Sequence, residues 1–216
     1  IYTAYKEILQ NEKNLTVAQK RVLELNILGF ELSGAHLDKK SKSRLQKMEL
    51  EMSQLANNFS QNILNDTNNY KLIIEDEKAV SALPPSDIAA ASFMEHGVTK
   101  YKFTLQMPSY LAYMTYGEDE KFREELYRAY TSRAPQNAEI ITKLLSLRDE
   151  MSHLLGFSDF SSYSLASKMA PDTDAVLAFL NSLLQDSTKQ AKLELDELQE
   201  FSQKELRSFD SAFYTD

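Results

Sequence analysis

Leu45, Met48, Met52, Leu55, Phe59 and Ile63 recur every three or four residues. At 3.6 residues per turn they form one apolar stripe roughly five turns long. Such a stripe is buried only when a single long helix lies along other elements, so it commits the chain to a helical layer. Asp38 stands where it can cap this helix, and the pattern runs out near Asn68. Five glycines and five prolines among 216 residues leave room for long uninterrupted helices.

The flanking segments follow the same logic. Thr16 and Gln19 have the spacing of a capping box, Val22, Leu25, Leu28 and Leu32 continue at helical intervals, and Ser33-Gly34 supplies a stop. Tyr70 to Glu75 and Tyr101 to Met107 alternate with period two, predicting a two-stranded ribbon at about 70–75 and 101–107. Between them, Ser86 reads as a cap, Ile88 to Met94 as a short helix and Gly97 as its end. Phe122, Leu126 and Tyr130 share a helix face, with Glu124 set to pair with Arg128. Asn137 is placed to cap a helix ending at Gly156, and Ser158 to Met169 read as a shorter one. From Asp172 onward the apolar spacing stays helical, with a kink or solvent-bridging stretch expected at the polar run Gln185 to Gln190. The expectation is a mainly α fold, long amphipathic helices in an irregular bundle with one small two-stranded β element, forming a single unit over residues 1–216.

Several function classes are disfavoured by totals. A net charge of −8, with basic residues dispersed among acids, opposes a phosphate backbone, so nucleic acid is not an expected partner. No apolar run approaches ~18 residues, so no membrane span is expected. The absence of cysteine removes thiolate ligands, cysteine nucleophiles and disulfides, and fits a cytoplasmic location. The first residues, IYTAYKEILQNEKN, lack the basic and apolar regions of a signal peptide and read as an internal start.

The chemistry-bearing residues are scattered. Four residues after His36, His96 and His153 stand Lys40, Lys100 and Phe157, so no HExxH zinc helix is present. Glu150 and His153 have the Glu-x-x-His spacing of ferritin-like metal bundles, but one copy reads first as a surface pair. No Gly-x-Ser-x-Gly turn or glycine-rich phosphate loop occurs. Glu118, Asp119 and Glu120 begin a helix, where capping explains them better than acid-base work. The densest aromatic group is Tyr110, Tyr113, Met114 and Tyr116, between Pro108 and Gly117, at a strand-to-helix junction. Most of these tyrosines read as core, and the residual interest lies in the junction itself.

The order of motifs carries further information. Phe30-x-Leu32-x-Gly34 is followed by Leu55-x-x-x-Phe59-x-x-Asn62, then Pro108-Ser109-Tyr110 with Met114, Arg123 and Tyr130. Leu147-Arg148, Leu154-Leu155-Gly156-Phe157, Ala166-x-Lys168-Met169 and Phe209-Asp210 with Phe213-Tyr214 complete the series. In this arrangement the chain resembles the thimet-oligopeptidase family of zinc metallopeptidases, nearest to its bacterial members. The resemblance implies a largely helical parent enzyme with a deep channel, which cleaves short peptides with zinc and a glutamate base held in its C-terminal half. This chain would form one non-catalytic wall of that channel, with the C-terminal catalytic region of the same polypeptide as partner. The resemblance places no catalytic residue, no metal ligand and no cofactor in this chain, and makes Tyr110 or Tyr113 the candidate channel-lining residues. It also implies an apolar face, prone to self-association, where the rest of the enzyme packs. The alternative is a free-standing helical scaffold or interaction domain.

Overall fold

The computed structural model describes residues 1–215. In chain order the first helices are α1 (Tyr2–Asn11), α2 (Val17–Leu32) and α3 (Lys39–Asn69). Then come β1 (Leu72–Ile74), a 3₁₀ turn (Glu77–Val80), α4 (Pro85–Ala91), β2 (Ser92–Glu95) and β3 (Val98–Phe103). The remainder is α5 (Met107–Tyr116), α6 (Glu120–Thr131), α7 (Asn137–Leu154), α8 (Phe160–Leu165), α9 (Thr173–Ser202) and α10 (Ser211–Thr215). The fold is mainly α with a small antiparallel sheet, and the chain gathers into two compact units, each made of two stretches of sequence.

Residues 1–57 and 139–183 form the first unit. Its core joins Leu45 and Met48 of α3 to Leu147 and Met151 of α7, with Leu155 beyond, so the N-terminal part of the predicted stripe is buried as its spacing requires. Thr16 and Gln19 complete both bonds of the capping box that begins α2. The end of α2 is a Schellman turn, in which Ala35 N–H donates to Phe30 O and Gly34 N–H to Glu31 O. Gly34 has φ +75°, and a Cβ there would lie 2.6 Å from a methyl carbon of Leu45. The same turn closes α7, with Phe157 N–H on Ser152 O and Gly156 N–H on His153 O. Asp38 accepts from Ser41 N–H at 2.8 Å and begins α3 as expected. Tyr2 and Tyr5 of α1 meet Phe30 of α2, and Tyr2 Oη donates to Glu31.

The second unit comprises residues 58–138 and those from 184 onward. Its sheet has three strands in the order β1-β3-β2, one more than the periodicity predicts. Residues 92–94, expected as the end of a helix, instead pair with β3 together with Glu95, which lies opposite Val98. The reason is the two-residue loop between them: His96 (φ 49°) and Gly97 (φ 78°) both adopt the left-handed region, as a type I′ hairpin turn demands. Gly97 is therefore a hairpin residue and not a helix stop. Helix α4 is preceded by Pro84 with no side-chain cap bond, so the expected Ser86 cap is not formed. The ribbon ends earlier than expected as well, since Met107 already begins α5. In the first unit, helix α8 is shorter than the expected 158–169. The polar run 185–190 stays within one continuous α9, mostly exposed, with Thr188 Oγ1 donating to Leu184 O and Gln190 reaching Glu194.

Two glycines separate backbone strain from packing. Gly156 has φ +91° and open space around an added Cβ, whereas Gly34 has both a positive φ and a crowded site. Gly156→Ala is expected to destabilise by about 1–2 kcal/mol, the cost of a left-handed non-glycine residue. Gly34→Ala should cost more, by about 1 kcal/mol or above, because buried Leu45 must shift as well. Urea-unfolding midpoints of the two variants measure the difference, and equal losses would show that Leu45 accommodates the methyl group freely.

Candidate functional site

The aromatic junction is built by the turn after β3. Ser109 Oγ accepts from Thr104 N–H at 2.9 Å, and Pro108, lacking an N–H, sits in the first turn of α5 where no intrahelical donor is needed. Gly117, in extended backbone at the helix end, leaves no room for a side chain: a Cβ would lie 2.4 Å from the Tyr113 ring. Tyr113 is wholly enclosed, donates its hydroxyl to Ala79 O at 3.0 Å, and sits edge-on to Phe103 at 4.8 Å. Burial pushes its hydroxyl pKa well above the ordinary value. Tyr110, also buried, stacks on Tyr130 at 4.4 Å, and Arg133 lies 3.6 Å over the other ring of that pair, Tyr130. Both candidate tyrosines are thus packed into the aromatic core of this unit. The inward reading of Tyr101 and of the Phe122, Leu126, Tyr130 stripe agrees with the packing.

Next to the junction, a charge network closes the C-terminal segment onto α6. Arg123 and Asp210 are both almost wholly buried and meet at 2.8 Å, while Arg123 Nη1 donates to Gly117 O and Glu118 O. The guanidinium lies over the Phe213 ring at 4.1 Å, and its Nε has no hydrogen-bond partner among the described residues. Lys204 reaches Asp210 at 3.2 Å and Glu120 at 2.9 Å. Burial by itself pushes the Asp210 carboxyl up; the bonds from Arg123, the Arg207 N–H and Lys204 outweigh it and hold the group below the usual carboxylate range.

The loop from α6 to α7 is pinned onto α3 within the same unit. Asp66 accepts from Ala134 N–H at 2.7 Å, where Ala134 has φ 54°, and Arg133 donates to Thr67 Oγ1. Asn137 is the first residue of α7 and not its cap. Its side chain donates to Phe59 O and accepts from Asn62, so tertiary bonds take the place of the expected local one. On α6, Asp119 accepts from Lys121 N–H and Glu124 pairs with Arg128, as the acid-rich start and the i,i+4 spacing imply.

Glu150 and His153 do not converge on a common site. Arg44 holds the Glu150 carboxylate through two hydrogen bonds and lowers its pKa, while His153 Nδ1 turns back to Asp149 O at 2.9 Å. Among the described residues no group of three His, Cys, Asp or Glu side chains could hold a metal ion. No described helix is long and apolar enough to cross a membrane.

Arg123, Asp210 and Phe213, motif positions that lie far apart in sequence, meet in this network. The sequence model of peptidase family M3 matches residues 113–216. Oligopeptidase A of Haemophilus influenzae is 36% identical across the whole chain, and that of Escherichia coli 34%. A probable cytosolic oligopeptidase A of Arabidopsis thaliana is 34% identical over 94% of the chain. The chain belongs to peptidase family M3.

It spans about a third of the length of these relatives: 34% of each bacterial protein and 31% of the plant one. Within this M3 segment the matched region contains both the tyrosine junction from residue 113 onward and the Arg123–Asp210 pair. Sequence reasoning marked Arg123 and Asp210 only as family positions; their pairing across 87 residues leaves no local pattern.

Asp210→Asn strands the Arg123 charge in the core and is expected to cost about 3–5 kcal/mol at neutral pH. Because the folded pKa of Asp210 is lowered, its contribution is present above the unfolded-chain value of about 3.9 and is lost as pH falls through the folded value. Urea unfolding from pH 7 to pH 3 should therefore show the gap between wild type and variant narrowing at the acid end. A gap that is small at pH 7, or that widens on acidification, would contradict this account of the pair.

Proposed function

We propose that this chain is a non-catalytic helical portion of an oligopeptidase and forms one wall of the channel in which short peptides are hydrolysed. The observation that carries the reading is the likeness to oligopeptidase A over the whole chain at 34–36% identity, across only 34% of the relatives' length. Zinc is the metal this family implies, and the residues present do not fit it. No three His, Cys, Asp or Glu side chains gather around a common point among the described residues, and the one Glu-x-x-His pair is engaged by Arg44 and by Asp149 O. No step of hydrolysis is therefore derived for this chain; in the proposal, the catalytic groups belong to the rest of the polypeptide.

What a wall requires is rigidity, and the second unit supplies it through buried aromatic packing and ion pairing. Tyr113 serves as framework in this reading, since its ring is enclosed and its hydroxyl is engaged. Tyr110 is the nearer to the surface of the two, at 8% exposure beside the half-buried Tyr130, so any lining contact from the junction falls to this stacked pair. A cytoplasmic setting follows from the same reading, one of the relatives being named as cytosolic.

The apolar surface expected where the rest of an enzyme would pack has a counterpart in the second unit. Leu184, Leu195 and Phe201 of α9 are 62%, 47% and 77% exposed, and Leu195 and Phe201 flank a groove of about 670 Å³ that Tyr214 closes on the other side. Sedimentation velocity is expected to show concentration-dependent self-association, weakened by Leu195→Gln with Phe201→Gln. A chain that stays monomeric across the concentration series would count against this surface being a packing face.

Activity provides the direct test. Incubated with a quenched fluorescent peptide and zinc, the purified chain is expected to show no turnover. Stoichiometric, zinc-dependent hydrolysis that a chelator abolishes would place the catalyst inside the chain and overturn the proposal.

A further inference from the structure

The groove between α9 and α10 in the second unit has walls of unequal kind. On α9, Ala191, Leu195 and Leu198 share one helix face, and Glu194, Glu197 and Phe201 follow on the flank beside it. Tyr214 of α10 stands opposite. The α10 wall is fixed before anything docks, because Phe213 N–H and Tyr214 N–H both donate to Asp210 O, and Arg123 holds the Asp210 carboxylate while covering the Phe213 ring. Such a groove loses little binding free energy to ordering its own walls.

The backbone of the long wall decides the shape of the occupant. Residues 191–201 lie inside an α-helix, whose backbone groups are paired within it, so this wall offers no edge to an extended chain. A segment that docks here must satisfy its own backbone. A helix with apolar side chains every three or four residues does so, and the α9 wall, about 15 Å from Ala191 to Phe201, matches about three of its turns.

The charge of the lining is one-sided. Glu194 and Glu197 are its charged residues, and both are exposed. Glu194 accepts from the Gln190 side chain, and no ion pair engages either carboxylate among the described residues. Lys204, whose ammonium group lies 5.3 Å from the Tyr214 ring, is committed to Glu120 and Asp210. Two copies meeting groove to groove would set these carboxylates against each other, on chains of net charge −8. Cations on an incoming helix would complement them.

We propose that this groove is the docking site of an amphipathic helix whose apolar stripe is flanked by lysine or arginine, and that such a helix is preferred to a second copy of the chain. The inference rests on the reading of this surface as a packing face and adds the partner's chemistry: its secondary structure, the spacing of its apolar side chains and the sign of its charge.

The test is a titration of the full chain, labelled with nitrogen-15, with two synthetic helical peptides of about 14 residues, or four turns. Both carry the same leucine stripe, flanked by lysine in one and by glutamine in the other. Both are expected to shift the amide signals of Ala191, Leu198 and Tyr214, the lysine peptide binding about fivefold more tightly, the scale of two exposed ion pairs. Glu194→Gln with Glu197→Gln should remove that preference, whereas Glu7→Gln with Glu49→Gln, an equal change of net charge on the first unit, should keep it. Leu195→Gln with Phe201→Gln should weaken both peptides. A preference that survives the first pair of substitutions, or self-association in sedimentation velocity that the lysine peptide leaves undiminished, would overturn the proposal. Equal affinities would overturn it while leaving the packing face standing, whereas binding of neither peptide would overturn both. The fluorescent-peptide assay reports separately on the channel-wall reading.

Discussion

Burying Arg123 and Asp210 together leaves the C-terminal segment of the second unit one favourable place to dock. Each charge alone in that interior would carry a desolvation cost of several kcal/mol, and each is nearly or wholly inaccessible to water. The pair therefore matters through what its separation would cost. Arg123 also holds Gly117 O and Glu118 O, where α5 passes into α6, and Asp210 draws in Lys204 and the Arg207 N–H. One ion pair thus ties the aromatic junction, the start of α6 and the segment around α10 into a single arrangement.

The same unit shows why a tyrosine-rich stretch need not be a binding surface. Tyr113 and Tyr110 contribute area first, through Phe103, Phe122 and Tyr130, and the Tyr113 hydroxyl is engaged by a backbone carbonyl. Tyr70, closer to the edge, keeps its hydroxyl on Glu125, and burial together with that carboxylate pushes its pKa up to about 12. Neutral phenols in such settings act as fixed donors, which suits structural support better than proton transfer.

Where sequence reading and structure diverge, the competing force is identifiable. Residues 92–94 lie beside a good helix pattern, yet the left-handed pair His96-Gly97 folds them back on β3, because a two-residue turn and cross-strand bonds outweigh a few residues of helix propensity. His-Gly followed by Val98-Thr99 was the available signal. Asn137 has the right type and position for a cap, but the carbonyl of Phe59 and the amide of Asn62 offer bonds in a more buried setting.

Periodicity and capping chemistry were enough to determine the long helices, the Thr16 and Asp38 starts, the Gly34 and Gly156 ends and the mainly α class, because these depend on contacts within a few residues. The succession of motifs was enough to determine kinship with family M3, since it records the family's order along the chain. Tertiary structure alone decided that Arg123 meets Asp210, that Tyr113 is enclosed and that Asn137 bonds to α3 instead of capping α7. Each of these joins residues distant in sequence, and their energies come from desolvation and close packing, which no local pattern along the chain encodes.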